Sequence, residues 1–275
     1  MNVTAIVLGI LLFISIYVLY LYLSPAYTSL TTTASLMANT PPLTALDSPT
    51  SPRYAYGLWL YVNSWNNTSD YKYIFYRNNN IKLYLDKTQL NLYLDIYMQN
   101  GAWFSDPANN GTPILITNNY PIQKWCYIVI SVDNNFIDCY LDGKLVLSQK
   151  TYISSSPSSS PTPSNGSSSS SETTLIYPQI PPDIGNSGTS VNGNGANLVL
   201  GGYDNGGLSA PVYVNFDAAL NNFVRWSSPV NPQIVWDTYV TGNGSNLNIL
   251  PKMSAYNARL DILKNNAMYT SFSLF

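Results

Sequence analysis

The chain of 275 residues contains no histidine, a single glutamate and only two cysteines. Without histidine it lacks the side chain that most often moves protons near neutral pH, and the commonest nitrogen ligand for metals. With one glutamate, Glu172, any pair of carboxylates for hydrolysis would have to come from aspartates. Two cysteines are too few for a disulfide framework. Charge of either sign is scarce: charged residues make up 9%, the net charge is −2 and the pI is about 4.9. No basic patch is visible, which argues against nucleic acid as a partner.

What the chain has instead is tyrosine, 23 of them, and abundant asparagine. The most regular pattern runs from Lys124 to Leu147. Two alternating apolar runs flank Asp133-Asn134-Asn135, residues that tolerate positive φ and favour a hairpin turn. If Asn134-Asn135 is the turn, Ile130 faces Cys139. Cys126, Ile128, Ile130 and Val132 then share a core face with Ile137, Cys139 and Leu141. The other face carries Tyr127, Ser131, Asp138, Tyr140 and Asp142. In this register the two cysteines are offset by about four residues, roughly 13 Å along the strands, which is too far to bridge.

Val3 to Leu23 is an apolar run without a charge. As a helix it spans roughly 30 Å, so residues 1–23 are expected to be a transmembrane anchor rather than a cleaved signal. Residues 24–53, rich in Ser, Thr and Pro, read as a tether, flexible or draped over the neighbouring domain.

The β domain is expected over 54–240. Tyr71–Tyr76 and Ile114–Thr117 read as strands, and Ile81–Asp86 with Leu90–Met98 as a hairpin. In the second arm Leu90, Leu92, Leu94, Ile96 and Met98 alternate with Asn91, Tyr93, Asp95 and Tyr97. Residues 151–196 form an insertion whose Ser/Pro/Gly composition cannot offset ordering entropy, with Thr174–Tyr177 pairing at an edge. Asn231 can cap a helix that starts at Pro232. The tail, 241–275, offers a helix over Ser254–Ala267 and a strand-like ending, Tyr269–Phe275, that should pack on the domain or a partner.

Four segments carry a family resemblance. They are Tyr56–Val62 with its Trp59, the central "YLDGKLV" after the Asn134-Asn135 turn, Asn197–Gly202, and Phe216–Trp226. Together and in this order they resemble the laminin-G-like, concanavalin-A-like jelly roll: all-β, two antiparallel sheets. Ala218 and Asn221-Asn222 depart from the family's usual closing strand. The resemblance implies a fold shared by lectins, adhesion modules, glycosidases and structural domains, and so no single function.

The glycosidases of this fold carry a Glu-x-Asp-x-Glu type motif, and none is present, so no enzyme and no cofactor are expected. Asp106, Asn109 and Asn110, or Asp204 and Asn205, could ligate calcium, yet such clusters are more often turns. No metal is assigned. The remaining candidate site is a tyrosine face made of Tyr84, Asn91, Tyr93, Asp95 and Tyr97. Flat rings beside hydrogen-bonding groups suit sugars and protein partners alike.

Two functions stand as expectations. The first is a single-pass membrane-anchored structural protein whose jelly roll docks on protein partners. The Asn/Tyr-rich style resembles virion proteins of large double-stranded DNA viruses, which would make it a minor capsid component in the virion membrane, or otherwise a cell-surface or luminal protein. The alternative is a carbohydrate-binding, lectin-like adhesion protein.

Overall fold

In the computed structural model, residues 10–19, 27–155, 174–184, 197–203, 211–243, 259–264 and 267–273 are described. In chain order a helix α1 at 10–19 precedes strands β1 (Thr28–Ser35), β2 (Arg53–Val62), β3 (Lys72–Arg77), β4 (Ile81–Leu85), β5 (Leu92–Ile96) and β6 (Ile114–Thr117). Then come β7 (Trp125–Asp133), β8 (Phe136–Leu141), β9 (Lys144–Lys150), β10 (Ile153–Ser155), β11 (Thr174–Ile176), β12 (Leu198–Leu200), β13 (Gly202–Tyr203), β14 (Val212–Tyr213) and β15 (Ala218–Trp226). Helix α2 (Pro232–Thr241) is next, and β16 (Arg259–Lys264) and β17 (Ala267–Ser273) are the last strands.

Two antiparallel sheets carry the fold. One has six strands in the order β1-β15-β2-β7-β8-β9, the other five in the order β12-β3-β4-β5-β6. The central hairpin has the expected register: Ile130 faces Cys139, Val132 faces Ile137 and Asp133 faces Phe136. Asn134 takes φ 53° in the turn. The period of two along each strand sends alternate residues inward. Tyr54, Tyr56, Leu58, Leu60 and Val62 of β2 meet Leu83, Leu85, Leu92, Leu94 and Ile96 of the facing sheet in one core. Cys126 and Cys139 are buried in that core as free thiols. Burial pushes the Cys126 thiol up to about 12. Leu141, placed in the core by its alternation, is only half-buried.

The opposite face of the six-stranded sheet is covered. Ala55, Trp59, Tyr127, Val129, Tyr140, Val224 and Trp226 form a second apolar cluster with Val230 and Val235. Trp59 is thus buried, but under α2 rather than between the sheets. The helix begins as expected: Asn231 caps it, its Oδ1 accepting from the Ile234 N–H at 2.9 Å, with Pro232 at the first position. Tyr239 of the helix stacks on Trp59 at 5.7 Å. Gly57 makes room for the Trp226 ring, since a Cβ there would lie 2.7 Å from it.

Several expectations are corrected. Where a tether was expected over 24–53, β1 pairs with β15 and Leu36 is fully buried, so the sheet starts well before residue 54. The chain supplies its own edge strand because Leu30, Ala34 and Leu36 give even this Thr/Ser-rich segment an inward side. The C-terminal helix over 254–267 is replaced in its described part by β16, which pairs with β17 as a hairpin. Residues 254–258 and 265–266 lie outside the described residues.

The single-pass membrane anchor is also corrected. The described helix covers 10–19, and among the described residues no helix is long and apolar enough to cross a membrane. The remaining parts of the expected span, residues 1–9 and 20–23, lie outside the described residues. So does most of the insertion expected at 151–196. Near its start β10 nevertheless pairs with β11, which lies midway along it.

Candidate functional site

The outer face of the five-stranded sheet is built from the other half of the same alternation. On β4 and β5 the outward residues pair across the strands: Lys82 with Asp95, and Tyr84 with Tyr93. On β3 the outward partners are Tyr73, opposite Tyr84, and Tyr76, opposite Lys82. Tyr71 precedes β3, Tyr203 comes from β13, and Trp103 reaches in through a bridge to Tyr97.

The rings form one continuous array. Tyr84 lies 4.9 Å from Tyr71, 5.7 Å from Tyr73 and 5.7 Å from Tyr93. Tyr73 lies 5.0 Å from Tyr203, Trp103 lies 5.7 Å from Tyr76 and 5.1 Å from Tyr97, and the interplanar angles are mostly tilted or edge-on, as ring quadrupoles prefer. Lys82 Nζ sits 4.2 Å above the Trp103 ring and 3.0 Å from Asp95 Oδ2. The cation is thus neutralised inside the face.

Asp95 is fully buried and saturated. Its Oδ1 accepts from the N–H groups of Ile96 and Ser105, at 3.1 and 3.0 Å, and its Oδ2 accepts from the Ser105 hydroxyl as well as from Lys82. It anchors the loop that carries Trp103 and is not available to a ligand. Asn91 is buried too, donating to Gln89 Oε1 at 2.9 Å and to the Tyr93 hydroxyl at 3.0 Å. Tyr84 is 4% exposed. The structure therefore brings Tyr84, Asn91, Tyr93, Asp95 and Tyr97 together but leaves only Tyr93 and Tyr97 part-open to a ligand. The accessible rings include four that the alternation of β5 could not reveal: Tyr71, Tyr73, Trp103 and Tyr203. Tyr71 and Tyr73 are two apart, a signal that they share a face. Trp103 and Tyr203 arrive from elsewhere in the chain.

Burial raises the phenol pKa of Tyr71, Tyr73 and Tyr84 above the ordinary value. Tyr73 is pushed up to about 12, by burial first and then by neighbouring Tyr203 and Tyr71. Tyr84 is raised further, by burial and the Asp95 carboxylate. The face presents rings and hydroxyls, and at its Tyr71 end the Lys87 ammonium lies 4.8 Å over the ring. No second carboxylate joins Asp95 in hydrogen bonding or ion pairing among the described residues, and Glu172 lies outside them.

The calcium candidates are turn residues where they are described. Asp106 Oδ1 accepts from the Ala108 N–H, Asn109 donates to the Trp103 carbonyl, and Asn110 donates to Thr112. Among the described residues no group of three or more acidic, Cys or His side chains is placed to hold a metal. Asp204 and Asn205 lie outside the described residues. Of the aspartates flanking the central hairpin, Asp142 takes φ 48° in the β8–β9 turn and accepts from Lys124 Nζ and the Tyr127 N–H.

Two facing antiparallel sheets, one backed by a short helix after the last sandwich strand, define a jelly-roll-like β-sandwich. The chain belongs to the concanavalin A-like lectin/glucanases superfamily: the laminin-G-type description of that family matches residues 32–175, just over half of the chain. The match begins inside β1 and ends inside β11. The late strands β12 and β15, where two of the resembling segments lie, complete the sheets beyond it. No curated protein matches the sequence.

Among solved structures, the receptor-binding domain of botulinum neurotoxin C/D mosaic serotype is similar at 14% identity and TM-score 0.38, over 70% of this chain and 37% of that one. Domain 4 of an extracellular GH43 arabinanase from Geobacillus stearothermophilus, in complex with arabinotriose, is similar at 15% identity and TM-score 0.37, over 68% and 66%. A Trypanosoma rangeli sialidase in complex with sialic acid is similar at 11% identity and TM-score 0.39, over 70% and 24%. The chain thus spans well under half of the neurotoxin domain and of the sialidase. The capsid component, expected from an Asn/Tyr-rich style and a membrane anchor, is not supported: the anchor is corrected, and none of these three relatives is a virion protein.

Proposed function

We propose that this chain is a non-enzymatic carbohydrate-binding module of the lectin kind, and that the outer face of its five-stranded sheet is the binding platform. The observation that carries the reading is the continuous ring array, from Tyr71 through Tyr84 to Tyr73 and Tyr203, and on through Tyr76 to Trp103 and Tyr97, with Lys82 neutralised by Asp95 and Lys87 lying over the Tyr71 ring. Half-exposed rings about one sugar length apart offer apolar faces to the C–H sides of pyranoses. Tyrosine hydroxyls on the same rings can donate to and accept from sugar hydroxyls. Asp95, the carboxylate that pairs with Lys82 on this face, is fully buried and saturated and so cannot serve as a general acid or nucleophile, which favours binding over hydrolysis.

The test is affinity electrophoresis of the full chain in gels containing neutral polysaccharides. Retardation by at least one polysaccharide is expected, and it should disappear in the combined variant Tyr71→Ser, Tyr73→Ser, Tyr203→Ser. Unchanged retardation of a folded triple variant would sink the platform. Retardation by none of the polysaccharides would overturn the lectin reading itself.

A further inference from the structure

A second concavity lies at one rim of the sandwich, away from the strand centres that carry the ring array. It has a volume of about 450 Å³ and is bounded by Tyr54 at the start of β2, Asn80 in the β3–β4 turn, Gln99 beyond β5, the Asn134-Asn135 turn and a strap at 177–181. Of its thirteen lining residues five are carboxamides, and none is charged.

The walls are fixed by their own hydrogen bonds. The Gln99 N–H donates to the Tyr177 carbonyl and the Gln179 N–H to the Tyr97 carbonyl, both at 2.9 Å, so the strap lies as an extra strand along the end of β5. The Arg77 guanidinium holds the strap from behind, donating to the Pro182 carbonyl at 2.6 Å and to the Pro49 carbonyl at 2.9 Å. On the floor Asn80 donates to the Tyr54 hydroxyl at 2.8 Å.

With the walls satisfied, three side chains remain. Gln99, Asn135 and Gln179 are exposed or half-buried, and their carboxamides make no hydrogen bond to any described residue. Each presents two donors and an acceptor on one planar group.

We propose that this rim cleft is a binding site for a neutral saccharide end unit, distinct from the ring platform. A carboxamide pairs with two adjacent sugar hydroxyls, donating to one and accepting from the other, and three such groups converge here. Tyr177 and the prolines of the wall supply apolar surface for the C–H side of the sugar ring. A charged ligand finds no counter-ion in the lining and would be desolvated without compensation. The strap offers an extended peptide a poor ladder, because Pro178 and Pro181 have no N–H and the Gln179 N–H already donates to the Tyr97 carbonyl. The volume lies low in the range of about 300–1,000 Å³ for ligand clefts, which fits a chain end rather than a long internal stretch.

The experiment is a chemical-shift titration of the ¹⁵N-labelled full chain. The probes are glucose, galactose, mannose and N-acetylglucosamine, their homodisaccharides, and glucuronic and galacturonic acids. At least one neutral sugar should saturably shift the amides of residues 97–99, 133–135, 177, 179 and 180, and the uronic acids should not. Gln99→Glu and Asn135→Asp, near-isosteric changes at accessible positions, should each weaken that binding by roughly tenfold. The combined Tyr71, Tyr73 and Tyr203 variant should leave it intact, which separates this site from the platform. The proposal is overturned if no neutral sugar shifts these amides, if the uronic acids bind as tightly, if the two charge-adding variants bind normally, or if the platform variant abolishes the shifts.

Discussion

The two sheets of the sandwich bury their inner faces in the same way and treat their outer faces in opposite ways. On the six-stranded sheet the outward residues Trp59, Tyr127 and Trp226 are almost fully buried, because α2 lies over them and Val235 and Tyr239 close the contact. On the five-stranded sheet the outward residues are just as aromatic, yet no helix of the described residues covers them, and they pack on one another instead. Aromatic content alone therefore does not mark a site. What distinguishes the faces is whether another element of the chain has already taken the apolar surface. Tyr84 shows the difference in miniature, since it belongs to the open face but is buried by its neighbours Tyr71, Tyr73 and Tyr93.

Substitutions should reproduce this contrast. The largest effect is expected on the covered face. Trp226→Ala should cost about 3–5 kcal/mol in urea unfolding, because it removes a buried ring that packs on Gly57 and Tyr27 and leaves a cavity. A loss below about 1 kcal/mol would mean that this ring is not part of a sealed cluster. Gly57→Ala should rank next at about 1–3 kcal/mol, since its Cβ would meet the Trp226 ring at 2.7 Å. Restored stability in the double variant Gly57→Ala, Trp226→Ala relative to the sum of the single changes would sharpen that assignment. Asn231→Ala should cost about 1 kcal/mol by leaving the Ile234 N–H without its cap. On the open face Tyr71→Ser should cost only about 1 kcal/mol, the worth of its edge-on contact with Tyr84, while weakening polysaccharide retardation. A Tyr71 variant that unfolds the protein would erase the distinction between the faces.

The finest comparison is spectroscopic. Both faces hold phenols above the ordinary tyrosine value of 10.0, Tyr73 at about 12 and Tyr84 and Tyr127 with their pKa also raised, with burial as the leading cause each time. The unfolded chain releases these protons first, so the native state binds more protons above about pH 10. The stability from these groups is intact below pH about 10 and is lost as pH rises through about 12. Absorbance at about 295 nm, where tyrosinate absorbs, should therefore show a late, cooperative phase coincident with loss of β-sheet signal. Smooth ionisation of all tyrosines near the ordinary value, without unfolding, would contradict the burial of these rings.

The strands, their register and the family were legible in the sequence because they depend on local quantities. A period of two fixes which residues of β4, β5, β7 and β8 share a face, Asn134-Asn135 fixes the turn, and Asn231-Pro232 fixes the start of α2. Scarcity was equally legible: no histidine and one glutamate leave little for acid–base chemistry.

The tertiary structure alone decided which face would be covered. Trp59 and Tyr84 alternate alike along their strands, and only the path of α2 places one under a helix. The same holds for Asp95. Its position on the tyrosine face could be read from β5, but its saturation by Ser105 and Lys82 could not, because Ser105 returns through a loop with no periodicity. β1 was hidden because Thr and Ser suit a tether and an edge strand equally well, and pairing with β15, nearly two hundred positions away, settles the matter. The rim cleft was invisible for the same reason. Gln99, Asn135 and Gln179 lie in three separate connections; long-range hydrogen bonds join the first and last, the sandwich packing brings the Asn135 turn beside them, and no local pattern encodes either.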